Sequence, residues 1–297
     1  MTEFIEVDNV TLQYGRTTAL KNVSFSLRAN KIYGLLGRNG AGKTSLLTLF
    51  AAFQRPTSGT IRIAGEDPFE NAKIMQNIAF IYKQDHSVDT ETVKETIDFL
   101  KHFRPNFNEE YAYHLIEKFA LPLTTAVNKL STGKQSAFNI VIGLASRAPV
   151  TIFDEAYLGM DAPSREIFYQ EILNEQERFP RTFILSTHLV SEMDYLFDEV
   201  LMIHRGKLLL HEDYETIISR GASITGPADQ VDEFVRGRRI LNKKRLGPTK
   251  SVMIYGKLSD DEIIEAQELG LEIGPVALQD LFIHLTGGKN SDEKYTG

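Results

Sequence analysis

The stretch KIYGLLGRNGAGKTSLLTLF, residues 31–50, decides the fold. Lys31 to Gly37 is a short apolar run ending in glycine, and Lys43 to Phe53 takes up helical spacing through Leu46, Leu47, Leu49 and Phe50. Between them GRNGAGKT, Gly37–Thr44, satisfies G-x-x-x-x-G-K-[ST] in the strand, turn, helix setting that this motif requires. Its glycines let the backbone N–H groups of residues 38–44 converge on phosphate oxygens, and the helix N-terminus adds the positive end of its dipole. Gly37, Arg38, Asn39, Gly40, Ala41, Gly42, Lys43, Thr44 and Ser45 are therefore the candidate phosphate-binding residues. Lys43 is suited to the charge on the β- and γ-phosphates and the Thr44 hydroxyl to Mg²⁺.

Farther along, VTIFDE, residues 150–155, is an apolar strand ending in two carboxylates. Ligands of an open parallel sheet sit at the carboxyl ends of its strands, so Asp154 is expected beside the loop, holding Mg²⁺ through water. Glu155 then reaches the γ-phosphate side, where a carboxylate orients and polarises the attacking water as general base. Without the loop, two acids after a core strand would read equally well as a charged helix start.

Outward from this centre, FIEVDNVTLQYG and Ala19 to Leu27 alternate as half-buried strands around a turn at Gly15, an antiparallel start. SGTIRIAG (58–65) and Ile78 to Tyr82 are further strands. From Asp85 to about Ala148 the apolar spacing is helical, over Thr92 to Phe103, Asn108 to Phe119 and Ser136 to Ala145, so a helical subdomain is inserted at about 85–148. After it VTIF, TFILS (182–186) and EVLMIH (199–204) alternate with a helix over Pro163 to Gln176, the pattern of a covered parallel sheet. Beyond about Arg220 the segments read strand, helix, strand, strand, helix, strand, the split βαβ arrangement, then a helix from Leu278 to Leu285. The expected domains are residues 1–219 and a small α+β domain over 220–287, with 288–297 a disordered tail.

The 297 residues carry 33 basic and 40 acidic side chains, a net charge of −7, with 42% hydrophobic residues and no cysteine. This is a globular composition that excludes disulfide-stapled scaffolds and thiolate chemistry, and it disfavours a surface built to bind nucleic-acid backbone. No 18-residue apolar run and no basic-then-apolar leader are present, so neither a membrane span nor a secretion signal is expected. The basic stretch Arg236 to Lys250 reads first as a solvated strand face, and alternatively as a contact for anionic lipid or nucleic acid.

With these motifs in this order, the chain over residues 1 to about 215 resembles the nucleotide-binding subunit of an ABC transporter, a P-loop NTPase of ABC type with a mixed sheet and an inserted helical subdomain. LSTGK, Leu130–Lys134, is similar to the family's LSGGQ signature; Ser131 and Gly133 match it, Thr132 and Lys134 do not. The resemblance implies that Ser131 and Gly133 touch the γ-phosphate of ATP held by an opposite subunit. It implies that Gln84 is a Mg²⁺ and water contact that senses the membrane partner, that His188 contacts the γ-phosphate, and that Asp161 in GMDA is the D-loop aspartate. Tyr14 aligns with the aromatic that stacks on adenine; the competing view is that Val10, Leu12 and Tyr14 share one strand face and Tyr14 is a core-edge residue.

The activity implied is ATP hydrolysis with Mg²⁺, in a homodimer or heterodimer of ATPase subunits, driving a separate transmembrane permease at the cytoplasmic face of the membrane. ASRAPVTIFDEAYLGMDA and the C-terminal extension ending in LQDLFIHLTG resemble bacterial ABC-2-type exporters of the antimicrobial-peptide, phenol-soluble-modulin or antibiotic-response kind. The alternative is an ABC ATPase acting on nucleic acid or the ribosome; such relatives usually duplicate the nucleotide domain or insert a long coiled coil, and here there is one P-loop and no sustained heptad. A module that binds ATP without hydrolysing it is disfavoured by Glu155.

Overall fold

A computed structural model describes residues 3–287; the expected tail, 288–297, lies outside the described residues. Two compact units are present, one of the chain up to His188 with Tyr195–His211, the other of Leu189–Asp194 with the chain from Glu212 onward. The chain begins with β1 (Glu3–Tyr14), β2 (Thr17–Arg28), β3 (Ile32–Leu36), α1 (Lys43–Phe50), β4 (Ser58–Ile63), α2 (Ala72–Met75) and β5 (Ile78–Tyr82). Three helices follow, α3 (Val93–Phe103), α4 (Glu109–Lys118) and α5 (Thr132–Ala145), then β6 (Val150–Asp154), α6 (Ala162–Arg178), β7 (Thr182–Thr187), α7 (Val190–Met193), β8 (Glu199–His204) and β9 (Lys207–Asp213). The last part holds α8 (Tyr214–Ile218), β10 (Gly221–Pro227), α9 (Ala228–Phe234), β11 (Arg239–Leu246), β12 (Thr249–Tyr255), α10 (Asp260–Glu268), β13 (Glu272–Pro275) and α11 (Leu278–Leu285).

In the first unit a six-stranded sheet has the order β5-β6-β7-β3-β8-β9, parallel from β5 through β8. Every residue of β3, β6 and β7 is buried, as the continuous apolar runs of a sheet covered on both faces require. Beside it lies the antiparallel sheet β2-β1-β4. Along β1 the buried positions step from Ile5 and Val7 to Val10 and Leu12. The odd step between Val7 and Val10 is a register shift at Asn9, whose φ is +48°, so an irregularity keeps the apolar side chains on one face. The core joins this face to Leu35, Leu46, Phe50, Ile152 and Ile184.

The inserted helices start on side-chain caps: Thr92 and Glu95 form a reciprocal box on α3, Asn108 caps α4 and Ser131 caps α5. Apolar recurrence in the sequence began at Ser136, but the helix starts a turn earlier at Thr132, because a polar first turn carries no periodic signal while the Ser131 hydroxyl accepts from Lys134 N–H. β9 was not legible in the sequence either. It follows β8 through Arg205 and Gly206, with φ +50° and +74°, the two left-handed residues of a tight hairpin turn.

The second unit has the sheet order β11-β12-β10-β13, every neighbouring pair antiparallel. This is the split βαβ arrangement, with Ile224, Val231, Phe234, Val252, Ile254 and Ala266 in its core. The basic stretch lies largely on β11, an edge strand, and its hairpin. Arg238 pairs with Glu262 at 2.6 Å and Lys250 with Asp232, while Lys243, Lys244 and Arg245 are exposed. Charged side chains on an edge strand discourage pairing with another chain's edge.

Candidate functional site

The loop from Gly37 to Gly42 links the end of β3 to the start of α1. Gly42 caps α1 with φ +111°, and a Cβ there would come 2.8 Å from the Ala19 carbonyl oxygen, so only glycine fits. The first intrahelical bond runs from Leu46 N–H to Gly42 O at 2.9 Å, which leaves the N–H groups of Lys43, Thr44 and Ser45 ahead of the ladder. No acidic residue of its own first turn offsets the positive end of the helix dipole. Lys43 is 6% exposed, and its Nζ donates to Gly37 O at 2.8 Å across its own loop.

Two carboxylates meet this loop from the end of β6. Thr44 Oγ1 donates to Asp154 Oδ2 at 2.6 Å, while Asp154 Oδ1 is buried with no protein partner. Glu155 Oε1 lies 3.3 Å from Lys43 Nζ and 3.2 Å from His188 Nδ1. The Glu155 backbone is left-handed, φ +49°, a conformation that costs a non-glycine residue about 1 kcal/mol and turns the side chain back toward the loop. Its N–H donates to Ser186 O at 3.1 Å, which fixes the turn to β7. Gln84 shares a narrow cleft with Glu155, Thr132 and Ser136. Ser131 and Thr132 are exposed; Gly133 is packed so closely on the turn after Glu155 that a Cβ would lie 2.6 Å from Gly159 O.

Residues 20–158 match the protein family described as ABC transporter. This chain carries an ABC transporter ATP-binding domain. It is similar to the ABC transporter ATP-binding protein YtrB of Bacillus subtilis (strain 168), 27% identical over 289 residues, 96% of this chain and 99% of that protein. It is 25% identical to the Nod factor export ATP-binding protein I of Burkholderia lata over 97% of this chain and 98% of that protein. The spermidine/putrescine import ATP-binding protein PotA of Nitrosospira multiformis is 29% identical over 69% of this chain and 58% of its own length. A solved ATP-binding subunit of an ABC transporter shares the fold with a TM-score of 0.65, at 23% identity over 72% of this chain and 91% of that one.

The loop residues Gly37–Ser45, Asp154, Glu155 and His188 come together, and Gln84 lines the same narrow cleft as Glu155. Tyr14 ends β1 and is 47% exposed while Val10 and Leu12 are buried, so the strand's apolar face stops before it. Its hydroxyl accepts from Gln54 Nε2, and the same amide donates to Thr48 Oγ1 on α1, which ties the ring to the loop's helix. Asp161 caps α6, and hydrogen bonds from the Ser164 hydroxyl and amide hold its carboxyl below the usual range.

Thr44 and Asp154 supply oxygen donors, one buried and unmatched, which fits a hard divalent cation. Among the described residues no group of three His, Cys, Asp or Glu side chains converges, so protein ligands alone do not cage a metal. That suits Mg²⁺, which keeps waters and phosphate oxygens in its shell. The sequence reading missed Ser186, whose buried Oγ has no partner beside Asp154 in the β6–β7 register, and Tyr157, whose hydroxyl meets Thr187 Oγ1 at 2.7 Å and accepts from His188 N–H. The polar end of TFILST was the available signal.

Proposed function

We propose that this chain is the ATP-hydrolysing motor of a transporter, which binds MgATP at Gly37–Ser45, closes with a second ATPase subunit around the nucleotide, and drives export through a separate transmembrane permease. The observation that carries this reading is the sharing of Glu155 Oε1 between Lys43 and His188 directly beyond the Thr44–Asp154 pair. The N–H groups opening α1 hold the β- and γ-phosphates and Lys43 exchanges Gly37 O and Glu155 for phosphate oxygens. Glu155, freed from Lys43, accepts a proton from the attacking water, and His188 and Gln84 position that water and the γ-phosphate. When bound, Mg²⁺ neutralises charge developing on the transferred phosphoryl group. Ser131 and Gly133 serve the opposite subunit's nucleotide, Asp161 the subunit contact, and Tyr14 the adenine face.

Export is supported by the relative named for Nod factor export, which matches over both units, whereas the importer's match covers 69% of the chain. A separate permease is supported by a groove of about 580 Å³ whose walls include Phe80, Tyr82, Phe99, Leu100 and Gln84, a surface suited to an apolar segment of a membrane partner. Among the described residues no helix is long and apolar enough to cross a membrane. The first unit is read as the motor and the second as an accessory α+β domain, the whole held at the cytoplasmic face of the membrane by the permease. Purified Glu155→Gln protein is expected to bind ATP, to lose turnover, and to shift from monomer to dimer by light scattering on addition of MgATP. Wild-type turnover in this variant would overturn the assignment of the base, and an ATP-bound monomer would point to a different ATPase subunit as partner.

A further inference from the structure

Between Tyr82, the end of β5, and Thr92, the cap of α3, the chain has neither strand nor helix, and Gln84 lies in this stretch. Its placement therefore depends on individual ties rather than on a backbone ladder. The strongest tie comes two residues later. His86 is 6% exposed; its Nδ1 lies 2.7 Å from Asp89 Oδ2 and its Nε2 3.0 Å from Asn139 Nδ2 on α5. With the Asn139 amide donating to Nε2, the ring proton sits on Nδ1 and is donated to Asp89, so both nitrogens are satisfied. Asp89 N–H in turn donates to His86 O, and Asp89 O accepts from Asn128 N–H, both at 3.0 Å.

A buried histidine is most often a satisfied core residue, but both ends of this bridge lead to the candidate site. One end is the loop that carries Gln84; the other is the helix that opens with Ser131, Thr132 and Gly133. His86 and Asn139 line the narrow cleft with Gln84 and Glu155, and together with Asp89 they also line the aromatic groove. We propose that His86 is a positioning residue that, by bridging Asp89 and Asn139, holds Gln84 and the first turn of α5 in fixed relation across the Glu155 cleft. This rests on the reading of Glu155 as the hydrolytic base.

The test is steady-state ATP hydrolysis by the full chain, together with the affinity for a fluorescent ATP analogue. His86→Ala is expected to lower kcat about tenfold while KM and analogue affinity stay within about twofold, because a satisfied buried polar network is lost without touching the phosphate loop. Asn139→Ala is expected to match it, with the double variant no worse than either. His86→Gln, which can donate to Asp89 and accept from Asn139, is expected to restore most of kcat. Unchanged kcat in His86→Ala, equal losses of kcat and analogue affinity, or additive losses in the double variant would each overturn the proposal. Should His86→Ala fail to fold, the decision passes to His86→Gln and Asn139→Leu, where equal kcat in the two overturns it. Wild-type turnover that Glu155→Gln abolishes is the control: its absence overturns the hydrolytic reading and this inference together, whereas its presence with an unaffected His86→Ala overturns this inference alone.

Discussion

Two glutamates of the first unit are held by a lysine and a histidine each, at opposite ends of two strands of the six-stranded sheet, β8 and β6, and they differ in how completely they are satisfied. Glu199 opens β8, its side chain 6% exposed, and it meets Lys31 at 2.6 Å, His211 at 2.8 Å and Arg28. Glu155 follows β6, its side chain 23% exposed, with Lys43 at 3.3 Å and His188 at 3.2 Å. Around Glu199 the polar groups close on one another. Around Glu155 the backbone is left-handed, and Asp154 Oδ1 and Ser186 Oγ are buried without protein partners. Strand β3 lies between the two lysines, Lys31 just before it and Lys43 at the start of α1 beyond the loop, so the closed cluster sits at its start and the open one past its exit. The difference separates a carboxylate that fixes the sheet from one whose partners must be exchanged for substrate.

The sharpest way to break this contrast is to remove each cluster's lysine or carboxylate and ask what is lost. Lys43→Ala is expected to weaken ATP binding by about a hundredfold, the worth of roughly 3 kcal/mol from charge-assisted bonds to phosphate. Because its contacts to Gly37 O and Glu155 are local to the loop and are the ones ATP replaces, unfolding free energy should change less than ATP binding does, by about 1–2 kcal/mol. Calorimetric titration with ATP, paired with urea denaturation, separates the two; a variant that keeps wild-type affinity would remove Lys43 from the site.

Glu199→Gln is expected to do the reverse, leaving ATP affinity within about twofold and costing roughly 2 kcal/mol of stability at neutral pH, since it strips the shared anion from Arg28, Lys31 and His211. Burial by itself raises the carboxyl's pKa, but hydrogen bonds from Lys31 and Arg28 outweigh it and the net shift is downward. A carboxyl depressed in the folded state contributes stability that is fully present above its unfolded pKa, about 4.3, and is lost as pH falls through its lower folded value. The gap between wild type and variant in urea midpoint should therefore hold from pH 7 to about 5 and narrow below about 4. A gap that stayed constant down to pH 3 would mean that Glu199 is not acting through its charge.

The open cluster was far more legible in the sequence than the closed one, for a physical reason. Phosphate binding demands consecutive residues, so Gly37–Thr44 is a contiguous word, and Asp154 and Glu155 are found because a strand must end where the loop begins. The closed cluster joins the β2–β3 turn, at positions 28 and 31, to positions 199 and 211 far along the chain, and nothing local marks them. The His86–Asn139 bridge escaped for the same reason. In the second unit the alternation and helical spacing of short segments gave the element order, which the sheet order β11-β12-β10-β13 completes. The short helices α2, α7 and α8 span at most five residues each, too few for any period to show.

The smallest expected effect lies at the rim of the open cluster and tests how far it extends. Sequence alternation left Tyr14 between core edge and adenine contact, and its 47% exposure at the end of β1 frees the ring for a planar partner. Tyr14→Ala should weaken ATP binding about fivefold, close to 1 kcal/mol for one aromatic face. Tyr14→Phe should lose little, because a stacking face survives and only the acceptor for Gln54 disappears. Stability should move by less than about 0.5 kcal/mol in both, as for an exposed side chain. Equal weakening in the two variants would shift the role from the ring to the hydroxyl, which reaches α1 through Gln54 and Thr48, and the contact with adenine would have to be sought elsewhere on the domain.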